Sequence, residues 1–312
     1  MPSSNNSHHA ALARSLVTSL QKSKFPSLRQ FSHLSKVLTR QEMIITRLCG
    51  LIVILNLLFL NFHFYNQATV MAPAVGGVYR EGMMGSPRMI NPVLASERPD
   101  LDLIPLVFSS LFKYNPVSQK IEPDLVENYQ TSSDFLTYTL TLKKNITWHD
   151  RAPFSADDVI FTIDRIKDPE YKSPLAALFK DIETQKIDPL TLSLKLKEPY
   201  ALLTSTLTFG IIPAHLFKNI SSLSFPLAEY NTRPVGTGPF IFSKLRKDTL
   251  GTIQSLELTR NPDYFAGPPY LKTILIKFFP NREEIIQALN QKTIDGAGFL
   301  GDSGTTVDEA AQ

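Results

Sequence analysis

The chain has 312 residues, 43% of them hydrophobic and 20% charged, which suits one large or two ordinary globular domains and excludes a largely disordered protein. Its formal net charge of +3 is unevenly placed: residues 1–47 hold seven Lys or Arg against the single acid Glu42, a net +6, so the remainder carries −3. The basic character therefore belongs to a tail, and a nucleic-acid-binding face is excluded. The single cysteine, Cys49, excludes an intramolecular disulfide and a thiolate metal cluster.

In chain order, residues 1–42 read as a basic cytosolic tail. Within 26–48, Phe31, Leu34, Leu38, Ile45 and Leu48 fall at helical spacing among Arg29, Lys36 and Arg40. That pattern suits either a helix along an anionic leaflet or an ordinary juxtamembrane tail. Leu48–Phe64 then runs seventeen residues without a formal charge, interrupted by Asn56, Asn61 and His63. With Met43, Ile44 and Ile45 it approaches the roughly 20 residues that cross a bilayer as a helix. All the nearby positive charge precedes it, which places residues 1–42 inside, a transmembrane signal anchor at 43–65, and the rest outside. Thr46-Arg47-Leu48 before Cys49 argues against lipid attachment there, and Val70-Met71-Ala72 lies far from the apolar core for a cleavage site. Residues 66–77, rich in Ala and Gly, read as a linker.

Beyond the linker, strand and helix patterns interleave. Leu136, Tyr138, Leu140 and Leu142 alternate with Thr137, Thr139 and Thr141, which predicts a half-buried strand. Leu192, Leu194 and Leu196 repeat the pattern, as do Leu256 with Leu258, and Ile274, Ile276 and Phe278. Ser155-Ala156-Asp157-Asp158 begins a helix with Val159, Ile163 and Ile166 on one face. Asn281-Arg282-Glu283-Glu284 begins another, followed by Ile285, Ile286 and Leu289. The expected fold class is mixed α/β with antiparallel hairpins and a few βα units.

No nucleophile elbow, phosphate loop, zinc-protease pair or dinucleotide fingerprint occurs in the sequence. His149 and Asp150 are neighbours, which on a strand point to opposite faces, so no acid–base relay is expected. Asp157 and Asp158 read as charge complementing a helix N-terminus. No catalytic residue, metal ligand or cofactor is assigned. A large domain outside the membrane without catalytic residues favours binding over catalysis.

Five stretches, in order, resemble the extracytoplasmic solute-binding proteins of peptide and nickel ABC importers, family 5. They are Ile90-Asn91-Pro92 with Leu106–Phe112; Tyr138–Val159 (YTLTLKKNITWHDRAPFSADDV); Pro234–Phe240; Leu258–Phe265; and Ile274–Gly298 with Ile294-Asp295. The resemblance implies a periplasmic-binding-protein type II-like first lobe over 78–302, with an extra subdomain near 113–199, and a short end at 303–312. It implies a solute-binding subunit that captures peptides or similar small solutes and docks on ABC permease subunits. The alternatives are a membrane-anchored peptide sensor, an extracytoplasmic peptidase and a non-functional fragment.

The resemblance offers only positional candidates for solute contact. Asn91, Ser109 and Ser110 fall in the opening region, near the hinge and cleft of the family. Gly236, Thr237 and Gly238 form a loop whose missing side chains let backbone approach a partner or ligand closely. Turn and packing chemistry reads the same six residues equally well. Trp148 reads as core rather than as a cleft aromatic. The sequence departs from the family at Lys144-Asn145, at Arg151, where glycine is frequent, and at Lys292-Thr293. The Arg151 turn must avoid a positive φ or accept strain. Family members also continue well beyond Ile294-Asp295 into a second lobe, which predicts weak solute binding by these 312 residues alone. An incomplete gene model, a split gene and a degenerate product all fit that length.

Overall fold

A computed structural model of the chain describes residues 38–68 and 73–298, in two compact units divided after Ala72. The tail through residue 37, most of the amphipathic stretch, and residues 299–312 lie outside the described residues.

The first unit contains helix α1, Arg40–Ala68. Its 29 residues extend about 43 Å at the α-helical rise, and it is long and apolar enough to cross a membrane. It outruns the expected 43–65 span at both ends. Thr39 sets the start, its backbone N–H and hydroxyl both donating to the Glu42 carboxylate at 2.8 Å. Two of the polar interruptions find partners inside the helix. The Asn56 amide donates to the Ile52 carbonyl at 2.9 Å, and Gln67 meets His63 at 3.0 Å. Internal satisfaction of this kind is what a hydrocarbon environment requires.

The second unit is mixed α/β. Its first half contains β1 (Gly76–Met84), α2 (Arg98–Val107), β2 (Phe112–Asn115), β3 (Lys120–Pro123), β4 (Val126–Thr131), β5 (Thr137–Leu142) and α3 (Ala156–Lys167). There follow α4 (Ala176–Phe179), β6 (Ile182–Asp188), β7 (Thr191–Leu196), α5 (Leu203–Thr206) and α6 (Ala214–Phe217). The last elements are β8 (Phe240–Lys247), β9 (Ile253–Arg260), β10 (Leu271–Phe279), α7 (Arg282–Asn290) and β11 (Gly296–Ala297).

A five-stranded sheet has the order β11-β1-β10-β9-β8, and a four-stranded sheet the order β4-β5-β7-β6; β2 and β3 form a separate hairpin. Strand β1 runs parallel to β10 and β11, while β10, β9 and β8 are antiparallel. The period-two residues face inward as expected: Leu140, Leu192, Leu194, Leu256 and Leu258 are fully buried. Helix α3 carries the expected capping box and buries Val159, Ile163 and Ile166. Helix α7 is capped by Asn281, whose side chain accepts from the Glu284 N–H at 2.9 Å. It buries Ile285 but leaves Ile286 41% exposed, because consecutive helix positions cannot share a face.

Asp158 does more than complement the α3 dipole. It is buried, and its carboxylate accepts from the Ser155 N–H and the Ala214 N–H, both at 2.9 Å, and from the Trp148 indole at 3.4 Å. Burial raises its pKa, and the two backbone donors oppose that rise. One turn later, the Thr162 hydroxyl donates to the Asp158 carbonyl at 2.7 Å and accepts from the Ile212 N–H at 3.1 Å. Helix α3 is thereby stapled to residues 212–214. Asp157, by contrast, points outward to Lys186 at 2.6 Å.

The tightest junction involves Gly236–Gly238. A Cβ on Gly236 would collide with the Val107 carbonyl oxygen, and one on Gly238 would stand 2.6 Å from the same carbonyl group. The Gly238 N–H donates to that carbonyl at 2.8 Å. His149 closes the other side. Its N–H donates to the Gly236 carbonyl at 2.9 Å, and its Nδ1 accepts from the Gly236 N–H at 3.2 Å. Nδ1 is therefore unprotonated, so Nε2–H donates to the Gly238 carbonyl at 3.0 Å. The Asn261 amide reaches the same carbonyl at 3.0 Å.

The departures at turns sit in the left-handed region: Asn145 at φ 61°, Arg151 at φ 71° and Lys292 at φ 54°. Arg151 thus takes the strained option.

Three outcomes are expected in urea unfolding of the second unit. Gly236→Ala should lose about 3 kcal/mol, because neither backbone can yield without disrupting the junction. Arg151→Gly should gain about 1 kcal/mol by relieving the left-handed strain. Burial holds the His149 imidazole below its ordinary pKa, against the Gly238 bond that favours the charged ring. The unfolded chain then takes up the proton first, so this contribution is intact above about pH 6.5 and lost as pH falls through and below that value. Wild type should lose up to about 1.4 kcal/mol per pH unit relative to His149→Gln in that window.

Candidate functional site

The opening segment, α4 and the α5 region together line a groove of about 420 Å³. Its lining includes Pro92, Ala95, Leu101, Ile104 and Phe108 from the opening segment, and Leu175, Leu178 and Phe209 from the later ones. Ser110 and Gly210 also line it, joined by an antiparallel bridge. Gly210 is needed there: a Cβ would stand 2.8 Å from both Phe108 and Pro92. Phe209 is held edge-on against buried Phe179 at 4.9 Å between centroids.

The six residues singled out from the sequence separate into two groups. Ser110 opens onto the groove. Its hydroxyl donates to the Phe112 carbonyl at 2.7 Å, and its N–H donates to Asp124 at 3.3 Å. The other five lie behind the wall. Asn91 is 1% exposed and bonds the Asn231 side chain at 2.8 Å. Its Oδ1 accepts from the Val93 N–H at 2.9 Å, which turns the chain just before the groove. Ser109 is 3% exposed and donates to the Thr237 carbonyl at 3.3 Å. Gly236, Thr237 and Gly238 are buried at the junction with Val107.

A polar cluster supports the base of the groove. Lys113 pairs with buried Asp124 at 3.0 Å. Burial is the largest influence on the Lys113 pKa and depresses it, but the Asp124 bond and the neighbouring negative charge together outweigh it and the net shift is upward. Tyr264, which bonds Ser109, is raised by burial and by the Asp124 charge. Trp148 is core, packed edge-on to Phe154 at 5.8 Å. His149 and Asp150 turn to different partners: His149 clamps the glycine loop, and Asp150 meets His215 at 2.7 Å.

Sequence reading missed Leu101, Ile104, Leu178, Phe209 and Gly210. Leu101 and Leu178 are 47% and 51% exposed on α2 and α4. Nothing local distinguishes those positions from ordinary surface leucines.

Comparison with known proteins places this geometry in a family. The sequence profile of the bacterial extracellular solute-binding proteins, family 5 (Middle), matches residues 120–311. A putative ABC transporter peptide-binding protein of Brucella ovis is 32% identical over 234 residues, covering 74% of this chain and 43% of that protein. The oligopeptide-binding protein AppA of Bacillus subtilis is 26% identical over 227 residues, covering 72% and 41%. Its structure with a nonapeptide superposes with a TM-score of 0.66 at 26% identity, covering 72% of this chain and 44% of that one. NikZ of Campylobacter jejuni, solved with Ni(L-His), gives a TM-score of 0.63 at 28% identity, covering 70% and 43%. The chain thus spans about two fifths of the length of these relatives. The mixed α/β unit shares the fold of these binding proteins, and the chain belongs to family 5 of the bacterial extracellular solute-binding proteins.

Proposed function

We propose that the chain is the solute-binding subunit of an ABC importer and captures peptides outside the membrane. The observation that carries this reading is the groove at Ser110, Phe108 and Gly210, formed within a family whose solved relatives hold peptides or a metal–amino-acid complex. The described part of the second unit corresponds to the first lobe, with residues 113–199 as the extra subdomain. The groove then forms one wall of the cleft. In the relatives, more than half of the length lies outside the matched region, and this reading assigns the rest of the cleft to it. Closure of two lobes over a solute desolvates it, and only its better fit to the closed form stabilises that form.

Helix α1 is the proposed membrane anchor. Its length, its apolar run and the charges before it favour a cytosolic N-terminus and a binding unit held outside. Docking on the permease subunits follows from that placement. No enzymatic step enters this reading.

Orientation is tested with an impermeant maleimide on intact cells. Val117, at the tip of the β2–β3 hairpin, is 93% exposed, and the native Cys49 lies within α1. Val117→Cys should be labelled without permeabilisation. Labelling only after permeabilisation would place the binding unit inside and sink the importer reading. Deleting the gene should also abolish growth of an amino-acid auxotroph on peptides that supply the missing residue, and unchanged growth would count against peptide as the solute.

A further inference from the structure

The groove has a distinctive chemistry. None of the residues that line it is Asp, Glu, Lys, Arg or His. Most of the hydroxyls at its edge are already committed to nearby backbone. Ser110 donates to the Phe112 carbonyl at 2.7 Å, Thr206 to the Leu202 carbonyl at 3.2 Å, and Thr208 to the Ser205 carbonyl at 2.8 Å. A charged group entering the groove would lose its water and meet neither a counter-charge nor a full set of donors. An apolar group would gain contact instead. Leu101 and Leu178 both line it, 47% and 51% exposed, and both can give up that surface to an occupant. Phe209 and Ile104 also line it and are partly buried against the core. The base cannot be deepened, since Gly210 is already tight against Phe108 and Pro92. A groove of about 420 Å³ has room for a branched aliphatic or aromatic side chain together with its backbone.

We propose that this groove selects solutes bearing an uncharged apolar side chain, with Leu101, Ile104, Leu178 and Phe209 setting the preference. The inference rests on the solute-binding reading above and specifies the part of the solute that this wall receives. Acidic and basic side chains are discriminated against at this position, because the wall supplies no compensating charge. A hydrophobic wall separates apolar side chains of different size only weakly, but it rejects an uncompensated charge more strongly.

The test uses the full chain in lipid nanodiscs, which keep detergent out of the groove. The probe is the tripeptide Ala-photoleucine-Ala at millimolar concentration, activated by light, with adducts mapped by mass spectrometry. Adducts are expected on the segments around residues 101–110, 175–178 and 205–210. Ala-Leu-Ala should suppress them roughly tenfold better than Ala-Asp-Ala. Leu178→Lys, at an exposed position that folding tolerates, should narrow or reverse that ratio. Val117→Lys, at the hairpin tip, should leave it unchanged. Adducts in the groove with equal competition by the two peptides would overturn the selectivity and leave the solute-binding reading standing. Adducts elsewhere, or none, would overturn both. A dimer seen by mass photometry with the groove unlabelled would make a second copy of the chain the occupant and overturn the inference.

Discussion

The close approach of Gly236–Gly238 to the carbonyl of Val107 is the constraint on which the rest of the second unit depends. Two residues without a Cβ let one chain segment lie directly on another. The Gly238 N–H satisfies the Val107 carbonyl at the C-terminal end of α2, which the helix itself leaves open. His149 and Asn261 then share the Gly238 carbonyl from two further segments. Four segments far apart in sequence are locked at one point by backbone geometry that few other residues permit.

That convergence explains why the family resemblance is carried by separate short stretches. Val107–Ser109, His149, Gly236–Gly238 and Asn261 each lie in a different matching stretch, and they meet around the backbone of one residue, Gly238. The fifth stretch, Ile274–Gly298, serves a different contact. There, Ile285 and Ile294 pack over Gly82 at the β1 side of the five-stranded sheet. The junction also positions the groove: Phe108 and Ser110, which line it, flank Ser109, whose hydroxyl is tied to Thr237. The glycine loop thus supports the wall from behind, while the wall's exposed surface comes from Ile104, Leu178, Phe209 and their neighbours.

The polar groups of the binding unit follow the same economy of partners. Asp158 sits in the core because two backbone N–H groups and an indole meet it there. Asp124 is buried because Lys113 and the Ser110 N–H compensate it. The groove lacks such compensation altogether, and this contrast gives it its apolar character. In the first unit, Asn56 and His63 are each paired with a residue four positions away, so α1 keeps its apolar exterior.

The sequence by itself determined what depends on near neighbours. The alternation of Tyr138, Leu140 and Leu142 placed β5, Ser155 and Asp158 marked the start of α3, and the uncharged run after Arg47 marked α1, because pleat, cap and helix repeat over a few residues. The ordered motifs also made the family legible. Only the tertiary structure decided which face of each candidate residue was free. Asn91 and Ser109 are polar in sequence yet enclosed, because their partners Asn231 and Thr237 lie on segments that no local pattern relates to them. Leu178, Phe209 and Gly210 look unremarkable in sequence and come together at the groove because α4 and the α5 region are folded against the opening segment. The groove is lined by residues distant in the chain, and only long-range packing brings them to one surface.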